Sequence, residues 1–209
     1  MENYLYCYKM THDTESAPNP HHGVLTLAIC KPTIRRCALV GDWISGWTAN
    51  MVHGKDKKHH SFDKPKLIYL ARITQKMTFA EYWEKYPQKQ PQIIGYNQAA
   101  SERKTCGGSY RVSDTIYDSG DNIYKPNKRG GFTQVKNNNH TKKEKKHDLS
   151  GVYVLICEEF YYYGVNNAKE VGKNVFDVTV PRCKKLPLDD QCMMLIDHIK
   201  NDDNVQIKG

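Results

Sequence analysis

Val152-Tyr153-Val154-Leu155-Ile156-Cys157 is apolar without interruption. A run this short, apolar at both parities and rich in β-branched residues, reads as a strand buried on both faces. It is the strongest buried-strand signal in the chain, and Phe160-Tyr161-Tyr162-Tyr163-Gly164 follows it directly. Other β-type runs come earlier. Tyr4 to Tyr8 is aromatic-rich, and turn chemistry fills residues 10–22. Val24 to Cys30 is ended by Lys31-Pro32, because proline cannot donate to a ladder. Gly41-Asp42 turns into a short strand at Trp43 to Trp47, and Lys66 to Ile73 forms another. Two helices interrupt this pattern. Thr78 and Glu81 have the spacing of a capping box, so a short helix should run to about Tyr86, stopped by Pro87. Pro187 should open a final helix at about 188–200, with Leu188, Cys192, Leu195, Ile196 and Ile199 on one face. Residues 95–148 are the least regular and contain Gly107-Gly108 and Gly130-Gly131. The expectation is a single α+β domain over 1–209: a curved, mostly antiparallel sheet or a small β-barrel, with a few flanking helices.

The chain is long enough to hide about 70% of its unfolded surface in one core. No run of about 18 apolar residues occurs, so no membrane span is expected. Met1-Glu2-Asn3-Tyr4 lacks the basic and apolar regions of a signal peptide. Seven cysteines include no C-x-x-C pair, which argues against a zinc knuckle. Cys30 and Cys157 lie in apolar runs and read as small buried hydrophobes. Free thiols without a secretion signal suggest a reducing cytoplasm. No motif calls for a metal or a cofactor.

The net charge of +8 is concentrated. Lys55, Lys57, Lys58, Lys64 and Lys66 face Asp56 and Asp63 in a basic segment at about 53–66. Lys136, Lys142, Lys143, Lys145 and Lys146 face Glu144 in a second, within about 125–148. Both lack apolar periodicity and read as loops. They are either solvated surface or flaps that reach for phosphates.

Ala17-Pro18-Asn19-Pro20-His21-His22-Gly23 is the densest local signal: a rigid turn that could present an amide and imidazoles to a small ligand. Arg35 and Arg36 point different ways if extended, so one could meet a phosphate. Trp43 and Trp47 share one face, suited to packing a core or stacking a base. Tyr69, Tyr82, Trp83, Tyr124 and Tyr162 would complete an aromatic cage. Asp121 and Asn122 sit in a turn and could read a base edge. G-x-S-x-G, Walker A, H-E-x-x-H and the deaminase pattern are all missing. The spacing evidence favours binding over catalysis.

Read in order, these segments resemble the nucleotide modification associated domain 2 family. The resemblance runs through Ala17-Pro18-Asn19-Pro20, His22-Gly23, Cys30-Lys31-Pro32, Ile34-Arg35-Arg36 and Gly41-Asp42-Trp43-Ile44-Ser45-Gly46. It continues through Leu67 to Ile73, Thr78-Phe79 with Glu81-Tyr82-Trp83, Gly120-Asp121-Asn122-Ile123-Tyr124, His147-Asp148 and Phe160 to Gly164. Asn139-His140-Thr141 stands closest to an expected Ser-x-His segment. By fold-level analogy the Gly-Asp-Trp segment looks like the edge of PUA- and EVE-type barrels, which hold a modified or flipped base.

The resemblance implies a module for a nucleotide or modified base, in a DNA-modification or phage-defence context. Trp43, Trp47, Tyr124 or Tyr162 would stack the base, and Asn19, Asp121 and Asn122 would read its edge. Arg35, Arg72 and His22 would hold phosphate, and Lys31 and His147 would join the ligand-binding set. Besides a plain protein-interaction subunit in which the motif residues are structural, two alternatives stand beside this reading. One is a phage sponge that sequesters a nucleotide immune signal. The other is an enzyme acting on a nucleotide, in which His22, His147 and Asp148 move protons. The expected partner is a nucleotide or modified nucleic acid with no membrane, in the cytoplasm of a bacterial or phage-infected cell, and homo-oligomerisation is compatible with either.

Overall fold

A computed structural model describes residues 2–96, 115–177 and 183–209. Gly107-Gly108 and Cys106 lie outside the described residues. The main sheet has the order β13-β1-β3-β5-β12-β14, with β4 paired to β3. Its strands are β1 (Tyr4–Asp13), β3 (Trp43–Gly54), β4 (His59–Ser61), β5 (Leu67–Arg72), β12 (Glu159–Tyr162), β13 (Cys183–Pro187) and β14 (Ile207–Lys208). β1 and β3 run parallel, with Leu5 opposite Trp43. The other described pairs are antiparallel. The two edges of this sheet do not meet, so the fold is an open curved sheet rather than a barrel. Register shifts at Met10/His12 and Gly46/Trp47 mark irregularities of the kind that add twist.

A second sheet, β2-β11-β6, stacks on the first. β11 (Tyr153–Cys157) is the apolar run, flanked by β2 (Leu25–Leu27) and β6 (Gln75–Thr78). Leu155 and Cys157 face the core between the sheets, with Tyr6, Tyr8 and Ile44. Val154 and Ile156 face an outer core with Phe79, Tyr82 and Tyr124. The period of two along a strand thus buries every residue from Val154 to Cys157. The opposite face of the main sheet carries a third core, where Leu5, Cys7, Trp43 and Trp47 meet α4 (Asp190–Lys200). The layers run helix, sheet, sheet, helix.

α2 (Phe79–Lys85) begins with the full capping box: the Glu81 amide donates to Thr78 Oγ1, and Thr78 N–H donates to Glu81. In α4 the starting signal is Asp189, whose carboxylate accepts from the Cys192 amide at 2.9 Å. Pro187 does not open this helix. It ends β13 opposite Tyr4, on an edge strand, where proline is tolerated. Leu195, Ile196 and Ile199 are buried beneath the sheet, each contributing about 1.5–3 kcal/mol on leaving water.

The basic segments are more ordered than their composition implies. β3 continues to Gly54 and folds back through β4, with His53 opposite His59, so the first segment is a hairpin with lysines at its tip. The apolar signal is missing because ladder positions are held by histidines. The second segment contains the hairpin β9 (Tyr124–Pro126) and β10 (Phe132–Gln134), then α3 (Lys145–Leu149). β1 extends past Tyr8 because His12 and Asp13 pair with the far end of β3. Among the described residues the other elements are α1 (Pro32–Cys37), short 3-10 turns at Pro87–Lys89 and Val165–Asn167, and the antiparallel pair of β7 (Ile93–Tyr96) with β8 (Thr115–Tyr117). Among the described residues no helix is long and apolar enough to cross a membrane.

Candidate functional site

β2 stops at Leu27, and the chain turns into α1 through Cys30 and Lys31. Both residues sit in the left-handed region, with φ of 60° and 42°. Such a conformation is costly for a residue with a side chain and persists only where the surroundings fix it. Two ties fix it here. The Cys30 N–H donates to Asp148 Oδ1 at 2.8 Å, and the Cys30 carbonyl accepts from Arg35 Nε at 2.8 Å. Arg35 is fully buried and also donates to the carbonyls of Tyr153 and Asp148. Burial pushes its guanidinium down to about 10, against the pull of Asp148. Gly151 makes room for it, since a Cβ there would lie 2.5 Å from Arg35 Cζ. Cys30 is therefore held at a strand-to-helix corner, half-buried, rather than packed as a core hydrophobe like Cys157.

Asp148 projects from α3 and is completely buried. Its Oδ2 accepts from the Tyr124 hydroxyl at 2.7 Å and from His140 Nδ1 at 2.7 Å. The other ring nitrogen, Nε2, lies 3.5 Å from Cys30 Sγ. The thiol, the imidazole and the carboxylate thus form one line. Burial opposes ionisation of Asp148, but the bonds from His140, Tyr124 and the Cys30 amide outweigh it and hold the carboxyl below the usual range. Burial likewise opposes the charged imidazole. Its bonds to Asp148 and Cys30 outweigh that and push His140 up to about 10.

The His140 shift has a consequence for stability. A folded value near 10 against an ordinary 6.5 means that the folded chain holds the extra proton between those two pH values. The stabilising share is complete below about 6.5 and is lost as pH rises through about 10. Between pH 6.5 and 8 the chain should lose about 1.5 kcal/mol relative to a His140→Asn variant. Urea melts of both proteins at the two pH values measure this, and identical pH slopes would contradict it.

The thiol opens on a cleft of about 810 Å³, whose walls include Tyr8, Lys31, Pro32, Asn139 and His147. A neighbouring cleft of about 860 Å³ is walled by His21, His22, His53, Lys55 and Lys57. Thr14 and Asn139 belong to both, so the clefts adjoin across these two residues. One arm is rich in imidazole and ammonium groups, and the other leads to the Cys30–His140–Asp148 line.

The family model described as nucleotide modification associated domain 2 matches residues 1–201. The chain belongs to this family. Among curated proteins and among solved structures, nothing matches it. The matched residues of this nucleotide modification associated domain 2 protein include the Cys30 line and the walls of both clefts. The family's description fits a nucleotide or nucleic-acid partner and a setting of DNA modification.

In this domain 2 protein the residues singled out from sequence fall into two groups. Lys31 and His147 line the thiol cleft, His22 and Asn19 line the basic one, and Tyr124 bonds Asp148. Asn19 is nonetheless almost buried, its side chain tied to Ser119 and Lys89. The others lie elsewhere. Trp47 is fully buried, stacks on Phe176 at 5.8 Å and donates to Ser45, and Trp43 packs in the same core. These tryptophans pack the α4 layer and face neither cleft. Arg72 is exposed and pairs with Glu159. Tyr162 donates to buried Asp13. Asp121 accepts from Thr26 and Tyr82, while Asn122 donates to the carbonyls of Tyr82 and Tyr86. Arg35 serves carbonyls inside the protein. Cys30 and His140 were missed as a pair because 110 positions separate them. Cysteine directly before Lys31-Pro32, at the mouth of a helix, was the available signal.

Proposed function

We propose that this protein binds a nucleotide, or a modified base within nucleic acid, across the two adjoining clefts. The observation that carries this reading is the arm walled by His21, His22, His53, Lys55 and Lys57, which joins a second arm through Thr14 and Asn139. Cationic and imidazole groups suit phosphate oxygens. The second arm offers Met10, Ala17, Pro32 and Ile34 to a flat, partly apolar ring. Tyr8, the tyrosine among its described walls, already carries the Lys31 ammonium 4.4 Å from its ring centre. The base would then be held by aliphatic contact more than by an aromatic cage. Membership of a family associated with nucleotide modification supports the same ligand class.

Binding should be tested with fluorescent DNA, single-stranded and duplex, carrying plain or modified bases, over a range of salt. The Lys55→Ala/Lys57→Ala variant should bind more weakly and lower the slope of log K against log salt by about one to two. An unchanged affinity and slope would remove the basic arm from the interface. Free nucleotides, screened by thermal shift, should stabilise the folded chain if they occupy the same clefts.

A further inference from the structure

We propose that Cys30, His140 and Asp148 form a catalytic line that hydrolyses an acyl group, an amide or ester, carried by the bound nucleotide or base. The identity of the acyl carrier rests on the binding reading above; the thiol chemistry does not. A nucleophile beside a base, with the base oriented by a third group, is the arrangement that acyl transfer needs. Here Nδ1 is committed to Asp148 at 2.7 Å, which leaves Nε2 facing Cys30 Sγ at 3.5 Å. The same carboxylate holds the Cys30 backbone amide, so one buried group places both nucleophile and base.

Three comparisons within the molecule separate this thiol from a structural one. Cys7, Cys157 and Cys192 are buried in apolar cores, and burial raises each of their thiols. Cys30 instead opens on a cleft and meets an imidazole. Its backbone and that of Lys31 are both left-handed with no glycine present, the sort of strain that clusters at functional sites. The arrangement also does not suit metal binding. Among the described residues no group of three His, Cys, Asp or Glu side chains could hold a metal ion. Lys31 lines the same cleft wall, with its ammonium 4.4 Å from the Tyr8 ring centre.

The chemistry balances with water as the only co-reactant. The proton that Cys30 shares with His140 rests on Nε2, so Sγ attacks the carbonyl carbon as the thiolate and forms the C–S bond. The tetrahedral intermediate collapses, the C–N or C–O bond breaks, and the leaving amine or alcohol takes the proton from Nε2. Water, deprotonated by the same nitrogen, then attacks the thioester. The carboxylic acid leaves and the thiolate beside protonated His140 is restored, with no change of oxidation state.

The full chain should be mixed with p-nitrophenyl acetate and quenched in acid. Peptide mass spectrometry should find the acetyl group on Cys30, labile to hydroxylamine as a thioester. Cys30→Ser should remove that adduct while its thermal melt stays at the wild-type position. His140→Asn should slow p-nitrophenolate release about 100-fold, the usual share of a general base. Cys37→Ser, at an exposed thiol on α1, should leave the reaction unchanged. No acetyl on Cys30, or equal labelling of Cys37 and Cys30, overturns the catalytic line. A second arm uses an oligonucleotide whose cytosine amine is acetylated. Release of acetate supports the acyl-base substrate class. Cys30 acetylation from p-nitrophenyl acetate with no release from this oligonucleotide or from acylated mononucleotides overturns that class and leaves the thiol chemistry standing. The DNA-binding assay reports separately on the binding reading.

Discussion

Asp148→Asn is expected to lower the unfolding free energy by about 3 kcal/mol and to release the extra proton that His140 holds near neutral pH. The carboxylate accepts three hydrogen bonds, from the Cys30 amide, the Tyr124 hydroxyl and His140 Nδ1. An amide has the same shape but only one acceptor atom. With its NH2 toward Cys30, two donors meet and the strained corner loses its tie. With its NH2 toward His140, Nδ1 must give up its proton and turn a lone pair to the amide, so the imidazole keeps only the Nε2 proton and loses its positive charge. Either orientation leaves a buried donor without an acceptor, and it removes the charge that holds His140 at about 10. Breaking a buried pair by removing one partner costs about 3–5 kcal/mol, and the retained shape places this change at the low end. Urea melts read the first effect. Imidazole resonances followed through a pH titration read the second. A loss below about 1 kcal/mol with an unshifted His140 titration would mean that Asp148 does not organise this corner.

What the sequence discloses follows the range of the interaction. β11 was legible because four consecutive buried side chains advertise a two-faced strand, and the start of α2 because a capping box lies within four residues. The family was legible because its motifs are local. The parallel pairing of β1 with β3 was not, since nothing in either strand names its neighbour. The first basic segment was misread for a related reason. Its hairpin is held by backbone bonds between histidine-bearing positions, and a hydrophobic pattern is blind to those. Asp121, Asn122 and Trp47 have side chains suited to reading or stacking a base, yet each is consumed inside the protein. Chemistry-bearing residue types identify what a side chain can do, whereas burial decides what it does. Cys30 shows the converse: it stands at the end of an apolar run and reads as core. Only the return of the chain at residues 140–148 brings a base and a carboxylate to it. Asp148 was legible beside His147, but the imidazole that meets the thiol is His140.

Asp121→Ala is expected to cost about 3–5 kcal/mol, because it would strand a second buried charge. Lys89 is fully buried and donates to the Asn19 carbonyl, to Asn19 Oδ1 at 2.8 Å and to the Val24 carbonyl at 2.7 Å. All three are neutral acceptors, and burial pushes the ammonium down to about 8. Asp121 supplies the opposing charge that offsets part of this burial. Burial raises the carboxyl of Asp121 in turn, against the pull of Lys89 and the hydroxyls of Tyr82 and Thr26. Removing Asp121 leaves the Thr26 hydroxyl without its acceptor, leaves Tyr82 only its longer bond to Thr26 at 3.2 Å, and leaves the ammonium without its countercharge. The network joins β2 through Thr26, α2 through Tyr82 and the floor of the basic cleft through Asn19, so its loss should also loosen His22 and weaken ligand binding. A double-mutant cycle isolates the charge coupling. Lys89→Met alone should be costly, since it takes one bond from each of three acceptors and leaves the carboxylate uncompensated. The same change in an Asp121→Asn background should cost at least about 1 kcal/mol less. Additive losses in urea melts would show that the two charges do not support each other, and Asp121 would then matter through its hydroxyl partners alone.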